Sequence, residues 1–243
     1  MTTLSDFDID EYAELLQLAK AKYKFIGFDE IRFEDGFILW RHDCDCSLNR
    51  ALRLAELEQR ESIRATYFLN PHSEFYNLLE NTQTNIVRRI GELGHHIGLH
   101  LDAAYHGIES EGQLEEVICM ESRWLREWFS VEVSSFSFHN PTDFLLSCDQ
   151  DTYGGLINCY ARNLRKTVSY CSDSNGYWRF KPLRDVLTLG KEKRLQVLTH
   201  PEWWQEKTMT PRRRILRCAM GRARALMRVY DDFLAKCGRK NLS

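Results

Sequence analysis

Short apolar runs of strand length alternate with amphipathic stretches along most of the chain. An opening stretch carries Tyr12, Leu15, Leu16 and Ala19 on one face behind Ser5 or Asp6, which predicts a capped helix over about residues 8–23. The run Gly36-Phe37-Ile38-Leu39-Trp40 reads as a buried strand reaching Arg41. Ser47 then caps a helix with Leu48, Ala51, Leu52 and Ala55 at helical spacing, ending near Arg60. Arg64 to Leu69 is a second strand, followed by the loop Asn70 to Asn77 and a helix over about 83–92. His95 to Leu99 is a third strand, and Leu114, Val117, Ile118, Leu125 and Trp128 mark a long helix around 110–129. Further strands are predicted at about 133–138, 167–171 and 195–199, and a last helix from Thr210 to Leu234. The strands begin roughly 30 residues apart with helices between most of them, the rhythm of βαβ units. A parallel sheet of about six strands, open or closed as a barrel, is the expected architecture.

Composition narrows the class. The chain has 243 residues, 43% hydrophobic and 28% charged, enough for one full core. Its net charge is -2, from 33 basic and 35 acidic residues, so no global field favours nucleic acid. The N-terminal stretch is acidic and no apolar run approaches membrane-spanning length, from which a soluble, cytoplasmic protein is expected. Eight scattered cysteines without a CxxC pair point to free thiols. Cys44 and Cys46 could bind a soft metal, but their alternation with Asp43 and Asp45 favours core packing.

Chemistry gathers at the predicted strand ends. The first delivers Asp43 and Asp45, two residues apart and so aimed to one side. Carboxylates held that close repel unless a cation, a shared proton or a donor intervenes. The third delivers His100 and Asp102, the fourth His139-Asn140-Pro141, and the last two Ser172-Asp173-Ser174 and His200-Pro201-Glu202-Trp203-Trp204. Ligand sites of parallel sheets form where carboxyl ends of strands converge. A single histidine is more often a structural hydrogen-bonder; five polar clusters at five strand ends are harder to assign to packing.

In order, Arg41-His42-Asp43-Cys44-Asp45, Gly94-His95-His96-Ile97-Gly98-Leu99-His100, Ser137-Phe138-His139-Asn140-Pro141, Ser172-Asp173-Ser174 and Leu198-Thr199-His200-Pro201 resemble the five motifs of the polysaccharide deacetylases, carbohydrate esterases of family four. The resemblance implies an α/β fold, a distorted, incomplete (β/α)7 barrel. It also implies metal-dependent removal of an N-acyl group, acetyl or formyl, from an amino sugar in surface-polysaccharide or O-antigen biosynthesis. The metal is expected to be Zn2+. Asp43 matches the general base, Asp45 the first metal ligand, His100 the first metal histidine and His200 the acid. Asp173 matches an acidic residue that helps orient the site.

The main departure is at the second metal histidine, four residues after His100, where this chain has Ala104. His139 is the preferred replacement, giving a carboxylate and two imidazoles with an open position. Asp102 and His106 are the alternatives. The supporting arginine of the third motif is also missing, leaving Arg41 or Arg179 for its role.

Tyr76, Asn77, Asn140, Asp173, Trp178 and Trp203 are the candidate substrate contacts, with Trp204 nearby; aromatic faces suit sugar rings, although core packing explains them as well. The substrate is expected to be a nucleotide-linked, lipid-linked or oligosaccharide amino sugar. The competing classes are a catalytically inactive barrel that binds a glycan or partner, and a metal-dependent hydrolase of a non-sugar amide. The chain divides into a barrel, 1–207, and a basic amphipathic helix, 208–243, expected to pack on it. Its apolar row of Ile215, Leu216, Ala219, Met220, Ala223, Met227, Tyr230 and Leu234 leaves open a homo-oligomer interface, a pyrophosphate clamp or a foot on anionic lipid at the inner membrane.

Overall fold

The computed structural model describes residues 7–242. Its strands are β1 (Phe37–Cys44), β2 (Thr66–Leu69), β3 (His96–Leu101), β4 (Val133–Phe138), β5 (Thr152–Tyr153), β6 (Leu156–Asn158), β7 (Ser169–Ser172) and β8 (Arg194–Thr199). The helices are α1 (Ile9–Lys20), α2 (Leu48–Arg60), α3 (Asn81–Glu92), α4 (Ala103–His106), α5 (Glu111–Phe129), α6 (Asp143–Ser147), α7 (Arg162–Thr167), α8 (Leu183–Leu189) and α9 (Pro211–Lys236). Asp8 caps α1 by accepting from the Glu11 amide; the caps expected at Ser5 or Asp6 lie outside the described residues. Ser47 caps α2 through the Arg50 amide at 3.3 Å.

The eight strands form one sheet in the order β5-β6-β4-β3-β2-β1-β8-β7, parallel throughout except for the short β5. The sheet therefore has seven parallel strands and two unpaired edges. Between the edges, connected by α7, lies a cavity of about 240 Å³ lined by Cys159 and Tyr160 from one side and Tyr170 and Gln196 from the other. The sheet curls until its edges face each other without pairing, an incomplete barrel. Sequence periodicity missed β5 and β6 because two- and three-residue strands carry no period to detect.

Two apolar clusters follow from the pleat of β1. Ile38, Trp40 and Cys44 face the helices, packed with Leu48, Ala51 and Leu54 of α2 and Leu15 and Leu16 of α1. Phe37 and Leu39 face the barrel interior with Phe68, Cys159 and Leu164. Alternation then sends Arg41 and Asp43 inward and His42 outward. On the next strands but one, Gly98 and His100 of β3 share that inner face. Gly98 has no alternative there: a Cβ would lie 2.4 Å from the Phe68 ring.

Outward of the sheet, His42 meets a fully buried polar group. Glu58 of α2 pairs with His42 Nε2 at 2.7 Å and accepts from Tyr67 Oη at 2.6 Å and from Tyr12 Oη. Thr199 Oγ1 lies 2.6 Å from His42 Nδ1. One carboxylate thus ties α1, α2, β1, β2 and β8 together.

Helix α9 leaves most of its surface in solvent. Only Arg214 and Leu234 are buried along it, and the Arg214 guanidinium lies 5.2 Å from the Phe7 ring. Arg222 pairs with Glu80 beside α3. Leu216, Met220, Met227 and Tyr230, read from the sequence as one apolar row, are about half exposed or more rather than packed on the barrel. Among the described residues no helix is long and apolar enough to cross a membrane.

Candidate active site

The carboxyl ends of β1, β3, β4, β7 and β8 converge on one cluster. Asp45 sits in the bend after β1, and its backbone is pinned by a bond from Ser73 Oγ to its carbonyl at 2.7 Å. His100 Nε2 lies 3.0 Å from Asp45 Oδ1, His139 Nδ1 lies 3.3 Å from the same oxygen, and the two histidine nitrogens are 3.2 Å apart. Asp45 Oδ1 is buried yet no N–H is aimed at it well enough for a hydrogen bond.

The hydrogen-bond chain behind His100 bears on that orphan. Ser137 Oγ has one proton, which it donates to Asp43 Oδ1 at 3.3 Å, so it must accept from His100 Nδ1 at 2.7 Å. A neutral His100 then turns the lone pair of Nε2 toward a carboxylate oxygen. Two acceptors at 3.0 Å repel unless a cation stands between them or the ring takes a second proton. A tetrahedral ion with bonds of about 2.0–2.1 Å needs donors about 3.3 Å apart. The three separations of 3.0, 3.2 and 3.3 Å match one face of such a tetrahedron, so this donor set fits a divalent ion with one position open.

Asp43 stands just behind, 2% exposed, with Oδ2 accepting from Arg41 Nη2 at 3.1 Å. Arg41 is itself buried against the Phe68 and Tyr160 rings and donates to Tyr160 Oη at 3.2 Å. Of the two arginines considered from the sequence, Arg41 is the one beside the aspartate; Arg179 is exposed and lies over Phe180.

On the opposite wall, Asp173 Oδ1 holds His200 Nδ1 at 2.7 Å while Oδ2 accepts the His200 amide at 3.0 Å. His200 Nε2 points back to Asp45 Oδ2 at 3.8 Å. Burial alone opposes a charged ring, but Asp173 and Asp45 together push the His200 pKa up to about 10. Burial acts against the Asp45 carboxylate as well, and the His100 and His139 contacts override it and hold its pKa well below the usual range. The Asp45 contact, opposed by burial, raises His139.

The other sequence candidates fall elsewhere. His96, a neighbour of His100 in its motif, is at the far end of β3, 3.9 Å from Glu30. Asp102 caps α4, accepting from the Tyr105 amide at 3.1 Å, and His106 bonds Glu121 at 2.7 Å. Four of the proposed substrate contacts have partners within the fold. Tyr76 is buried and donates to the Cys44 carbonyl at 2.6 Å, and Trp178 stacks on Phe7 in the core. Asn77 caps its own turn through the Leu79 amide, and Asp173 is fully buried under His200. Trp203 is 7% exposed, with its ring centroid 6.5 Å from that of His200. Asn140 is exposed and reaches His139 Nε2 at 2.9 Å.

Sequence reasoning gave no role to Ser137, although its position two residues before His139 on a strand was a signal that both face one way. Glu202 was also missed; it is 1% exposed, and burial and the Asp45 charge raise its pKa.

A family 4 acetyl xylan esterase from Clostridium thermocellum, solved with a cobalt ion, is 14% identical over 77% of this chain and 83% of its own, with a TM-score of 0.45. This chain resembles family 4 carbohydrate esterases in structure. One from Bacillus anthracis is 17% identical over 96% of this chain and 88% of its own, with a TM-score of 0.44. A pseudoenzyme of that family from the same organism is 11% identical over 78% of this chain, which spans 63% of it, with a TM-score of 0.46. No family model matches the sequence, and no curated protein matches it.

Proposed function

We propose that this chain is a metal-dependent hydrolase of the polysaccharide-deacetylase type that removes an N-acyl group from an amino sugar in surface-polysaccharide biosynthesis. The observation that carries the reading is the triangle of donor atoms on Asp45, His100 and His139, set between the Arg41-held Asp43 and the Asp173-held His200.

Asp45, His100 and His139 would hold the ion, Zn2+ by donor type, which when bound supplies a Lewis acid that acidifies water and polarises an acyl carbonyl. Asp43, held in place by the Arg41 guanidinium, would take one proton from the water as the water oxygen bonds to the acyl carbon. The Ser137 bridge couples Asp43 to His100 and fixes which nitrogen of that ring carries its proton. His200, charged and aimed by Asp173, gives a proton to the nitrogen as the C–N bond breaks, leaving a carboxylate and a free amine. Amine anions are very poor leaving groups, so the acid is needed for forward collapse. Asn140 is the one candidate substrate contact both exposed and beside the donors.

The test is elemental analysis joined to amine-release assays on N-acetyl and N-formyl amino sugars, free, nucleotide-linked and in oligosaccharides. Amine release that requires about one zinc and stops with chelation is the expected result. Ala104, in place of the family's second metal histidine, favours a non-catalytic glycan-binding barrel as the second reading. A native protein that holds no metal and releases no amine in excess zinc decides for that reading.

A further inference from the structure

Helix α5 buries one face made of Leu114, Ile118, Leu125 and Phe129 in the main core, and on that same face stands Glu121, 4% exposed. A carboxylate at a core position costs several kcal/mol unless it is paired. Its pairing is lopsided. Glu121 Oε1 lies 2.7 Å from His106 Nε2 and is also in contact with His72 Nε2, while Oε2 is buried with no partner.

The two rings come from separate segments and are held in place before any ligand arrives. His72 lies in the loop after β2, its amide bonded to Asn70 Oδ1 at 2.8 Å and its ring stacked on Tyr105 with centroids 3.6 Å apart. His106 ends α4, its ring edge-on to His72 at 4.9 Å. One ligand atom from each of the three residues lies within 4.8 Å of the others. The two carboxylate–imidazole separations are hydrogen-bonded ones, and a tetrahedral ion would need them to open by less than about 1 Å.

Beside the cluster is a cavity of about 330 Å³, walled by Leu78, Leu79, Met120 and Trp124 and bounded by His72, His106 and Glu121. We infer that His72, His106 and Glu121 form a second divalent-metal site, separate from the catalytic donors, with its open position toward this cavity. Two imidazoles and a carboxylate are a zinc donor set. The ion neutralises Glu121 and presents a net positive centre to an oxygen or nitrogen donor carried on an apolar body. The inference is independent of the catalytic reading, since it uses none of the same side chains.

Zinc content after equilibrium dialysis tests it on four proteins: wild type, Asp45→Ala/His100→Ala, His72→Ala/His106→Ala, and all four substitutions together. The expected zinc equivalents are two, one, one and none. Loss of zinc only with Asp45→Ala/His100→Ala overturns this inference and leaves the catalytic centre standing. Loss only with His72→Ala/His106→Ala removes the catalytic centre and leaves this one. Circular dichroism checks folding, and Glu121→Gln, which keeps shape and hydrogen bonding but removes the charge, repeats the comparison if the histidine pair does not fold. Cobalt(II) in the Asp45→Ala/His100→Ala protein should give a visible d–d band that Glu121→Gln abolishes; an unchanged band overturns the inference.

Discussion

Asp43 and Asp45 are two residues apart on one side of a chain segment, yet their surroundings divide the work between them. Asp43 is fixed by Arg41 and Ser137, while Asp45 is met by the imidazole nitrogens of His100 and His139. Asp43→Asn should therefore abolish turnover while zinc content stays at the wild-type level, read by elemental analysis of the same sample. His200→Ala should lower kcat by roughly 10²–10⁴ with KM little changed, the size expected for a lost general acid. Asp173→Asn should reproduce most of that loss although it cannot touch substrate, because it removes the charge that keeps His200 protonated and aimed. Ser137→Ala should weaken zinc binding about 10–100-fold, measured by competition with a chromophoric chelator, because it frees the His100 ring to choose the wrong tautomer. The convergence of Asp45, His100 and His200 could be read from ordered motifs, and the nearness of His139 from its place at a strand end. Ser137 and Glu202 could not, since their meaning lies in which buried atom they face.

At the scale of elements, the strand-helix rhythm was legible because β1, β3, β4 and β8 are apolar runs with alternation and α2 and α5 carry wide apolar stripes. What could not be read was the joint between them. Glu58 looks like one more surface charge in a helix that carries two glutamates and three arginines, yet it is fully buried at the meeting of five elements. Burial opposes its charge, but His42 and His95 outweigh it and hold its pKa below the ordinary value. A depressed carboxylate adds stability above its unfolded pKa, about 4.3, that is lost as pH falls through the folded value. His95, lowered mainly by burial, works in the same direction: it must charge on unfolding in acid, so stability also falls below about pH 6.5. Glu58→Ala should cost about 3–5 kcal/mol in urea unfolding at neutral pH, as for one partner removed from a buried pair. In Glu58→Gln the slope of stability against pH below about 4.3 should flatten.

For the whole molecule, the curl of the sheet decides what the pocket can be. Strand order and seven parallel strands bring five carboxyl ends to one mouth, while the unpaired edges leave the ring incomplete. A one-dimensional pattern carries neither closure nor curvature, which is why an open sheet and a barrel looked alike in the sequence. The same limit applies to α9: its amphipathic pattern is real, but nothing in it specifies whether the row Leu216, Met220, Met227 and Tyr230 meets the barrel or solvent.

Beneath the two aspartates, Cys44 is fully buried and its thiol pushed far up by burial, while Cys119 and Cys237 are exposed. An alkylating reagent should consume the exposed sulfurs at once and reach Cys44 only when β1 parts from α2. Mass-resolved labelling at Cys44 would then be a clock for how often the floor of the pocket breathes, and zinc should slow it. Equal labelling rates for Cys44 and Cys119 would mean that floor is never shut.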